Sequence, residues 1–361
     1  MRQRDDIVDQ GPWLTVDLNA MRANAEAYRA RVGVALLPMV KANGYGLGAA
    51  AVARALESLD PWGFGVASLA EAAELREAGV RRPVVAFRSL LPDAAAGYRR
   101  LGVRPAIGSV AELVAWLAGG PDPFHLAIDT GMGRGGVSWR DDPSLGELGR
   151  LLAGAAGYEG AFTHFHSADS DEAATAAQWE RFVGVLGRLG AAPRWVHAAN
   201  SAGGRWGGRF AGTLARPGIF LYGGAAGPWA PSPVARLEAL VDAVRPVAPG
   251  DTISYGATYR VAEAADGITL GIGYADGLIR ALSNRGWVAL GDQRYRITGR
   301  VTMDMTVVVV PRGAAAPGDR VTLFGGPIAL DEQAALAGTI SYELLTAVGR
   351  RVSRRYLGDH P

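Results

Sequence analysis

The sequence has no cysteine and only one lysine, and both scarcities limit its chemistry. Without cysteine it can form neither a disulfide nor a thiolate metal site. Lysine and arginine together number 37, yet Lys41 is the only lysine. An arginine-favouring lineage explains the arginines but not the surviving lysine. Because arginine can neither form a Schiff base nor act as a base near neutral pH, Lys41 is a candidate for amine chemistry.

Long apolar runs and charge of one sign are also missing. No run reaches the roughly 18 apolar residues of a membrane span. The first ten residues are charged and lack the apolar core of a signal peptide, so we expect a cytoplasmic protein. A net charge of +2 and scattered basic residues argue against nucleic-acid binding. No histidine–carboxylate cluster has metal-ligand spacing, so no metal is expected.

The length and the pattern of apolar runs predict two domains. In residues 11–232, short apolar runs alternate with helical patterns, which predicts an α/β fold, an N-terminal (β/α)8 TIM barrel. A doubly wound open sheet is the alternative. Residues 233–361 are predicted to form a C-terminal, mainly β domain, joined by residues 1–10.

The predicted elements follow from apolar runs and helix start signals. Four helix starts are expected at capping boxes that begin with Ser68, Ser109, Ser144 and Asp169. In the second domain, Ala235–Ala243 is predicted to be a helix. The predicted strands are Val34–Val40, Phe64–Ala67, Pro83–Phe87, Pro105–Gly108, His125–Ile128, Ala161–Phe165, Trp195–Ala198 and Gly218–Tyr222, then Ile268–Tyr274, Trp287–Leu290, Tyr295–Val301, Thr306–Val310 and Val321–Phe324.

The segment around Lys41 is the first candidate for a site. It reads Met39-Val-Lys-Ala-Asn-Gly-Tyr-Gly-Leu-Gly48, follows an apolar strand and opens a helix. Lys41 therefore lies at the C-terminal end of a strand, the catalytic face of a barrel. It is not a Walker loop, because the lysine precedes the glycines and no Ser or Thr follows it. From this segment alone, a solvated lysine in a turn is an equally good interpretation.

The same segment resembles the segment that binds pyridoxal 5′-phosphate (PLP) in alanine racemases, which are fold-type III PLP enzymes. Any one such segment is weak evidence, but further similar segments follow in order and cover nearly the whole chain. They are Asp129–Arg134, Thr163–Phe165, Asn200–Ser201, Arg216–Ile219, Ser254–Gly256, Gly273–Gly277, Arg300–Asp304 and Thr339–Glu343.

The resemblance implies a set of cofactor-binding residues, with Lys41 as the Schiff-base lysine. Arg216 would donate to the pyridine nitrogen; since arginine keeps its proton, that nitrogen stays largely unprotonated. His164 would pack on the cofactor ring, and Asn200 belongs to the same site. The phosphate would be held by the hydroxyls of Tyr45, Ser201 and Tyr342 and by the backbone N–H groups of Gly218 and Ile219.

The resemblance also implies a substrate site and two bases. Arg134 would bind the substrate carboxylate and the phenolic oxygen of PLP, with Met303, Tyr274 and Asp304 nearby. Lys41 would serve the D face of the α-carbon. Tyr255 would serve the L face, contributed by the partner subunit of a two-fold homodimer. The implied activity is interconversion of L- and D-alanine, which supplies D-alanine for peptidoglycan.

Departures from the family pattern leave alternatives open. Ala127 stands where many alanine racemases have a carbamylated lysine, so an anion such as chloride or another side chain is expected to support Arg134. One alternative is a racemase for serine or a broad range of amino acids. A decarboxylase of the same fold is disfavoured by the absence of cysteine, and a non-catalytic PLP protein by the β domain and Tyr255. Three histidines are interpreted as structural or exposed: His125, His197 and His360.

Overall fold

A computed structural model describes residues 10–358, which divide into two compact units. The first, here the α/β unit, comprises Met21–Leu221 and Ala225–Pro231. The second, here the β unit, comprises the described residues up to Ala20, then Tyr222–Gly224, and the described residues from Ser232 onward. The expectation for residues 1–10 falls almost wholly outside the described residues, and so does His360.

The α/β unit alternates strands and helices. Along the chain, β1 (Trp13–Asp17) of the β unit comes first, and α1 (Leu18–Val32) then leads into the α/β unit. Its elements are β2 (Ala35–Leu36), α2 (Lys41–Tyr45), α3 (Ala49–Glu57), β3 (Phe64–Val66), α4 (Leu69–Glu77), β4 (Val84–Ser89), α5 (Ala95–Leu101), β5 (Val103–Ile107), α6 (Val110–Leu117), β6 (Phe124–Asp129), β7 (Val137–Ser138), α7 (Asp142–Leu152), β8 (Tyr158–Phe162), α8 (Glu172–Leu189), β9 (Trp195–His197) and β10 (Leu214–Ala215).

The parallel strands form a curled sheet that is not fully closed. Their order is β3-β4-β5-β6-β8-β9, and β2 and β10 pair separately. A few backbone hydrogen bonds cross the two gaps, among them those from Val40 N–H to the Gly65 carbonyl (2.8 Å) and from Thr213 N–H to the Val196 carbonyl (2.8 Å). The α/β character is therefore confirmed, and the predicted barrel is confirmed in part.

Two of the four predicted helix starts are correct. Ser68 forms a full capping box with Glu71, and the Ser109 hydroxyl accepts from the Glu112 N–H. The starts at Ser144 and Asp169 are wrong, because α7 and α8 begin at Asp142 and Glu172. Their N-caps are aspartates, Asp141 and Asp171, whose carboxylates reach the free N–H groups of the first turn.

The predicted strand Gly218–Tyr222 is wrong. Ile219–Tyr222 is a 3-10 turn, closed by a hydrogen bond from Leu221 N–H to the Gly218 carbonyl (2.8 Å). The N–H groups of Gly218 and Phe220 donate to the Ser201 hydroxyl instead of to a neighbouring strand. The strand in this region is β10, which ends before Arg216.

The β unit is built mainly from strands, as predicted, and most of them pair antiparallel. After β1, its elements are β11 (Ala235–Val247), β12 (Thr252–Ile253), β13 (Tyr259–Arg260), β14 (Ala265–Leu270), β15 (Trp287–Leu290), β16 (Gln293–Arg296), β17 (Thr306–Val310), β18 (Arg320–Phe324), α9 (Leu330–Leu336), α10 (Ser341–Ala347) and β19 (Ser353–Leu357). The central path of its sheet has the order β16-β15-β18-β11-β1-β19, and β14 joins β11 to β17.

The predicted helix Ala235–Ala243 is wrong, because these residues belong to the long strand β11. Leu237, Ala239 and Val241 are buried at every second position, which is the period of a strand. β11 pairs with β1, β14 and β18. These pairings outweigh the helical preference of its alanine, leucine, arginine and glutamate residues.

We expect Gly212→Ala to destabilise the protein. Gly212 has φ +78°, and a Cβ there would lie 2.1 Å from the Val196 carbonyl oxygen. Since that oxygen is backbone and cannot rotate away, conformational strain and a clash both oppose alanine. Urea unfolding should show a loss of roughly 1–3 kcal/mol in the free energy of unfolding.

Gly184→Ala is the matched control for this prediction. Gly184 lies within α8, and no atom lies within 4 Å of the Cβ that alanine would add. Here alanine should raise the free energy of unfolding by roughly 0.4–1 kcal/mol, because it reduces the conformational entropy of the unfolded chain. Equal effects of the two substitutions would show that Gly212 is not constrained as described.

Candidate active site

Lys41 opens a left-handed turn at the end of the segment that follows β2. Residues 42–45 have φ values of 52°, 53°, 60° and 54°. For residues other than glycine, this conformation costs about 1–2 kcal/mol each. The turn is held in part by Asn43, whose side-chain oxygen accepts from the Ala49 N–H at 2.9 Å. A strained turn held in this way fixes the position from which the Lys41 side chain projects.

Glu71, in the first turn of α4, also holds the Lys41 turn. One carboxylate oxygen accepts from the Ala42 N–H at 2.9 Å. The other accepts from the N–H groups of Ala67 (2.6 Å) and Ser68 (3.3 Å). The carboxylate therefore joins the start of α4 to the residue after Lys41. In the sequence, Glu71 is recognisable only as the last residue of the capping box that begins with Ser68, and no local signal indicates its second role.

The surroundings of Lys41 favour an uncharged amine. Burial lowers the pKa of Lys41, and the nearby charges of Arg134 and Arg216 lower it further, whereas Glu71 raises it. A lowered pKa leaves a larger fraction of the amine able to accept a proton near neutral pH.

Arg216 is buried and bonded to a ring of acceptors. Its Nη1 donates to His197 Nδ1 (2.8 Å) and to the His197 carbonyl (2.6 Å). Its Nη2 donates to the carbonyls of Thr163 (2.7 Å) and Ala198 (3.2 Å). Burial lowers the pKa of Arg216 to about 9, so it stays protonated at neutral pH. Among the described residues no acceptor is found for Nε, which leaves this donor for a ligand.

His164 lies against the same guanidinium. Its Nδ1 is 3.4 Å from Arg216 Nη2. Burial lowers the pKa of His164 to about 3, with further lowering by Arg216, Arg134 and Lys41. His164 is therefore a neutral imidazole beside a cation. Its carbonyl accepts from Gln178 Nε2 at 3.1 Å, which helps to fix its backbone.

Four of the five predicted phosphate ligands lie together in the α/β unit, although the N–H of Gly218 is already bonded within the protein. The Ser201 hydroxyl accepts from the Gly218 N–H at 2.8 Å, and a Cβ at Gly218 would lie 2.2 Å from the Tyr45 hydroxyl. Ile219 is 1% exposed, yet within residues 10–358 no partner is found for its N–H. Two hydroxyls and an open backbone donor around a glycine fit an anion such as phosphate.

Asn200 supports this cradle instead of pointing into it. Its side-chain oxygen accepts from the Gly203 N–H (2.8 Å), and its carbonyl accepts from the Tyr28 hydroxyl (2.6 Å). Burial raises the pKa of Tyr28, so this phenol remains a donor. The two bonds hold the turn that carries Ser201.

Arg134 projects from a loop built on Asp129. The Asp129 carboxylate accepts from the N–H groups of Gly131 (2.9 Å) and Gly133 (3.0 Å). Arg134 itself is exposed, and in the described chain no hydrogen bond or ion pair reaches its guanidinium. Among the described residues, no side chain supports Arg134 in the way that a carbamylated lysine at position 127 would. An exposed, positioned guanidinium is suited to a carboxylate ligand.

The predicted substrate residues of the β unit are brought together within that unit. The Tyr274 N–H donates to the carbonyl of Thr302 (2.9 Å), the residue before Met303. Asp304 is bonded to Arg351, with Nη1 2.8 Å from its carboxylate. Arg351 was not predicted as a site residue, because it lies 47 residues beyond Asp304 in the sequence. The contact that the structure shows for the Asp304 carboxylate is therefore its ion pair with Arg351.

Tyr255 and Tyr342 are both exposed within the β unit, with 72% and 40% of their surfaces accessible. The backbone before Tyr255 is strained, since Ser254 has φ 62°. The Ser254 hydroxyl donates to the Arg300 carbonyl at 2.7 Å and holds this turn in place. Both tyrosine rings are thus accessible on elements with defined geometry.

The described residues contain neither a group of side chains suited to a metal ion nor a membrane-spanning helix. No group of three or more histidine, cysteine, aspartate or glutamate side chains could hold a metal ion within residues 10–358. In the same part of the chain, no helix is both long enough and apolar enough to cross a membrane.

Comparison with known families gives two matches that together span most of the chain. Residues 16–226 match the alanine racemase N-terminal domain. Residues 234–356 match the alanine racemase C-terminal domain.

Individual relatives agree along nearly their whole length. An alanine racemase of Acidiphilium cryptum is 38% identical over 95% of this chain and 98% of its own. One from Desulforamulus reducens is 37% identical over 96% and 99%. The crystal structure of alanine racemase from E. faecalis has a TM-score of 0.89 at 32% identity, covering 96% and 98%. That of Bartonella henselae, with covalently bound pyridoxal phosphate, has a TM-score of 0.89 at 28% identity, covering 97% and 100%.

We expect Glu71→Gln to lower the pKa of Lys41 further and to loosen the turn. The substitution removes the charge that raises the pKa of Lys41. It also places an amide NH2 against backbone N–H groups that need acceptors. Because Lys41 is the only lysine, acylation of its amine against pH in cofactor-free protein reports this pKa directly. The midpoint should move to lower pH, and the Ala42 amide should exchange faster with deuterium.

Glu112→Gln is the control, because Glu112 caps α6 in the equivalent way and accepts from the Gly108 N–H at 2.7 Å. It should leave the labelling midpoint of Lys41 in place. An unchanged midpoint in Glu71→Gln as well would contradict the role given to Glu71.

Proposed function

The chain belongs to the alanine racemase family, and on this basis we propose how its residues interconvert L-alanine and D-alanine with PLP. The observation that carries the assignment is the setting of Lys41. The only amine side chain of the protein has a lowered pKa beside the Arg216 guanidinium. An anion cradle lies in the same unit.

The residues of the α/β unit fit PLP. Bound PLP withdraws electrons from the α-carbon of the substrate and makes its proton acidic. We assign the covalent link to Lys41 and the pyridine nitrogen to Arg216 Nε, a donor for which residues 10–358 offer no acceptor. The phosphate is assigned to the Tyr45 and Ser201 hydroxyls and the Ile219 N–H, with Gly218 leaving room. Neutral His164 is assigned to the face of the ring, and a further phosphate contact is assigned to the hydroxyl of Tyr342, a residue of the β unit.

The substrate carboxylate is assigned to Arg134, the exposed guanidinium held on the Asp129 loop. The Met303 backbone gives a second contact. Tyr274 and Asp304 shape the same site, Asp304 through its ion pair with Arg351. Two oriented contacts on one carboxylate fix the α-carbon relative to the bases.

Racemisation needs one base on each face of the α-carbon. In the direction from L- to D-alanine, the Tyr255 phenolate oxygen takes the α-proton and the Lys41 ammonium delivers a proton to the opposite face. In the reverse direction, Lys41 Nζ takes the proton and the Tyr255 hydroxyl delivers one. A phenol acts as a base only when nearby positive charge lowers its pKa.

Three wider features belong to the same proposal. Tyr255 is supplied by a second copy of the chain, so that the enzyme works as a homodimer with shared active sites. We assign the curled sheet to a (β/α)8 barrel, and the backbone hydrogen bonds that cross its gaps support this assignment. The enzyme acts in the cytoplasm, and the D-alanine that it forms is used for peptidoglycan.

The PLP-loaded protein should exchange the α-proton of both alanine enantiomers in D2O and form the opposite enantiomer, as followed by NMR. Lys41→Ala should abolish the covalent link to PLP and lower exchange by several orders of magnitude, and Tyr255→Phe should slow exchange mainly from L-alanine. Tyr295→Phe, on strand β16, is the control and should behave like the wild type. Full activity in either of the first two variants would refute the two-base assignment, and exchange with serine but not alanine would refute the substrate.

A mixture of variants tests whether Tyr255 comes from the partner. Co-expressed Lys41→Ala and Tyr255→Phe chains form hybrid dimers in which one of two sites has both bases, if Tyr255 acts across the interface. Random pairing then restores about a quarter of the wild-type rate. No restoration, despite hybrid dimers identified by mass spectrometry, would place Tyr255 in the site of its own chain.

A further inference from the structure

Two histidines lie in contact in the core of the α/β unit. His125 on β6 and His197 on β9 are each 0% exposed. Their Nδ1 and Nε2 atoms, respectively, are 2.7 Å apart. Burial lowers the pKa of both side chains, so they are neutral at physiological pH. Placing polar rings in such a core is costly unless each nitrogen has a partner.

The hydrogen bond from Arg216 determines which nitrogen of each ring carries the proton. Since a guanidinium can only donate, His197 Nδ1 accepts the 2.8 Å bond from Nη1. Neutral His197 then has its proton on Nε2 and donates to His125 Nδ1. His125 in turn must have its proton on Nε2. One donor at the active-site end thus sets both tautomers.

A carboxylate lies beyond the second ring. Glu159, on β8, has an oxygen 3.4 Å from His125 Nε2, which is an electrostatic contact and not a well-aligned hydrogen bond. Arg104 Nε donates to the same oxygen at 2.9 Å. Burial raises the pKa of Glu159, but the interactions with His125 and Arg104 outweigh it and lower the pKa to about 2. The carboxylate is therefore charged, opposite in sign to Arg216 at the other end.

The packing around the rings leaves this path little freedom. A Cβ at position 160 would lie 2.5 Å from His125 Nδ1, so Gly160 makes room for the ring. The His197 ring stacks on Phe162, with centroids 5.2 Å apart and planes at 22°. Trp62 lies 5.5 Å from the His125 ring on another side. Rotating either ring would require several large side chains to move.

We propose that His197 and His125, which are hydrogen-bonded to each other, form with the nearby Glu159 carboxylate a directional chain of positioning residues that holds Arg216 for the cofactor. Both imidazoles are in the Nε2–H tautomer, and their dipoles align between the Arg216 cation and the Glu159 anion. The chain fixes Nη1 and leaves Nε to donate to the pyridine nitrogen. No proton is transferred along it. The inference rests on the proposed function only in taking the acceptor of Arg216 Nε to be the pyridine ring of PLP.

The first test measures the tautomers in the PLP-loaded protein. Long-range 1H–15N NMR of histidine side chains distinguishes the Nδ1–H, Nε2–H and doubly protonated forms. Single Gln substitutions at His164, His166 and His360 identify their signals, which leaves those of His125 and His197. Both should show the Nε2–H pattern from pH 8 to 6. An Nδ1–H or a charged ring at either position would overturn the proposal.

The second test asks whether the chain reaches the cofactor. Glu159→Gln removes the anion but keeps the size of the side chain. With PLP labelled with 15N in its ring, the pyridine nitrogen signal should move towards that of unbonded pyridine, because Arg216 is held less firmly. Asp122→Asn is the control; Asp122 forms a similar ion pair with Arg99 (2.8 Å) but its carboxylate contacts no histidine. It should leave the signal in place.

The outcomes separate this inference from the proposed function. An unchanged pyridine signal in Glu159→Gln, or an equal shift in the control, would overturn the chain while racemisation stands. If Glu159→Gln does not fold, Arg104→Gln weakens the same carboxylate without touching an imidazole, and a smaller shift in the same direction is expected. Correct tautomers without alanine racemisation would defeat the proposed function instead.

Discussion

The buried charge of Arg216 is the interaction on which the rest of the site depends. A guanidinium away from water is tolerated only when acceptors surround it, and here the backbone after β8 and around β9 supplies them. The same charge lowers the pKa values of Lys41 and His164. Together with burial, this one cation therefore shifts both neighbouring groups towards their neutral forms, and shifted pKa values of this kind are typical of proton-transferring sites.

The position of Lys41 depends on a second constraint, which is backbone strain. Four left-handed residues follow the lysine, three of which are not glycine. Backbone carbonyls accept from several N–H groups of this segment, and Glu71, from outside the turn, accepts from the N–H of Ala42, the residue next to the lysine. The helix that Glu71 caps and the catalytic amine are thus parts of one arrangement. Weakening the cap acts on the chemistry as well as on the helix.

Features set by local sequence were predictable, and features set by distant pairing were not. The alternation of strands and helices, the Ser68 cap and the importance of Lys41 follow from neighbouring residues. Ala235–Ala243 has a helical composition, but pairing with β1, β14 and β18 makes it a strand. His125 and His197 are 72 residues apart, so no spacing indicates their contact. The family resemblance identified Arg216, but only the structure shows what holds it.

The fit between Gly160 and His125 restricts how this chain can evolve. Any side chain at position 160 would occupy the space of the His125 ring, so the two positions cannot be exchanged one at a time without loss. A lineage that replaced the imidazole with a small residue could then accept a larger residue at 160, and the return path would be closed. The two sites are therefore epistatic, because position 160 must remain glycine for as long as position 125 carries the buried ring.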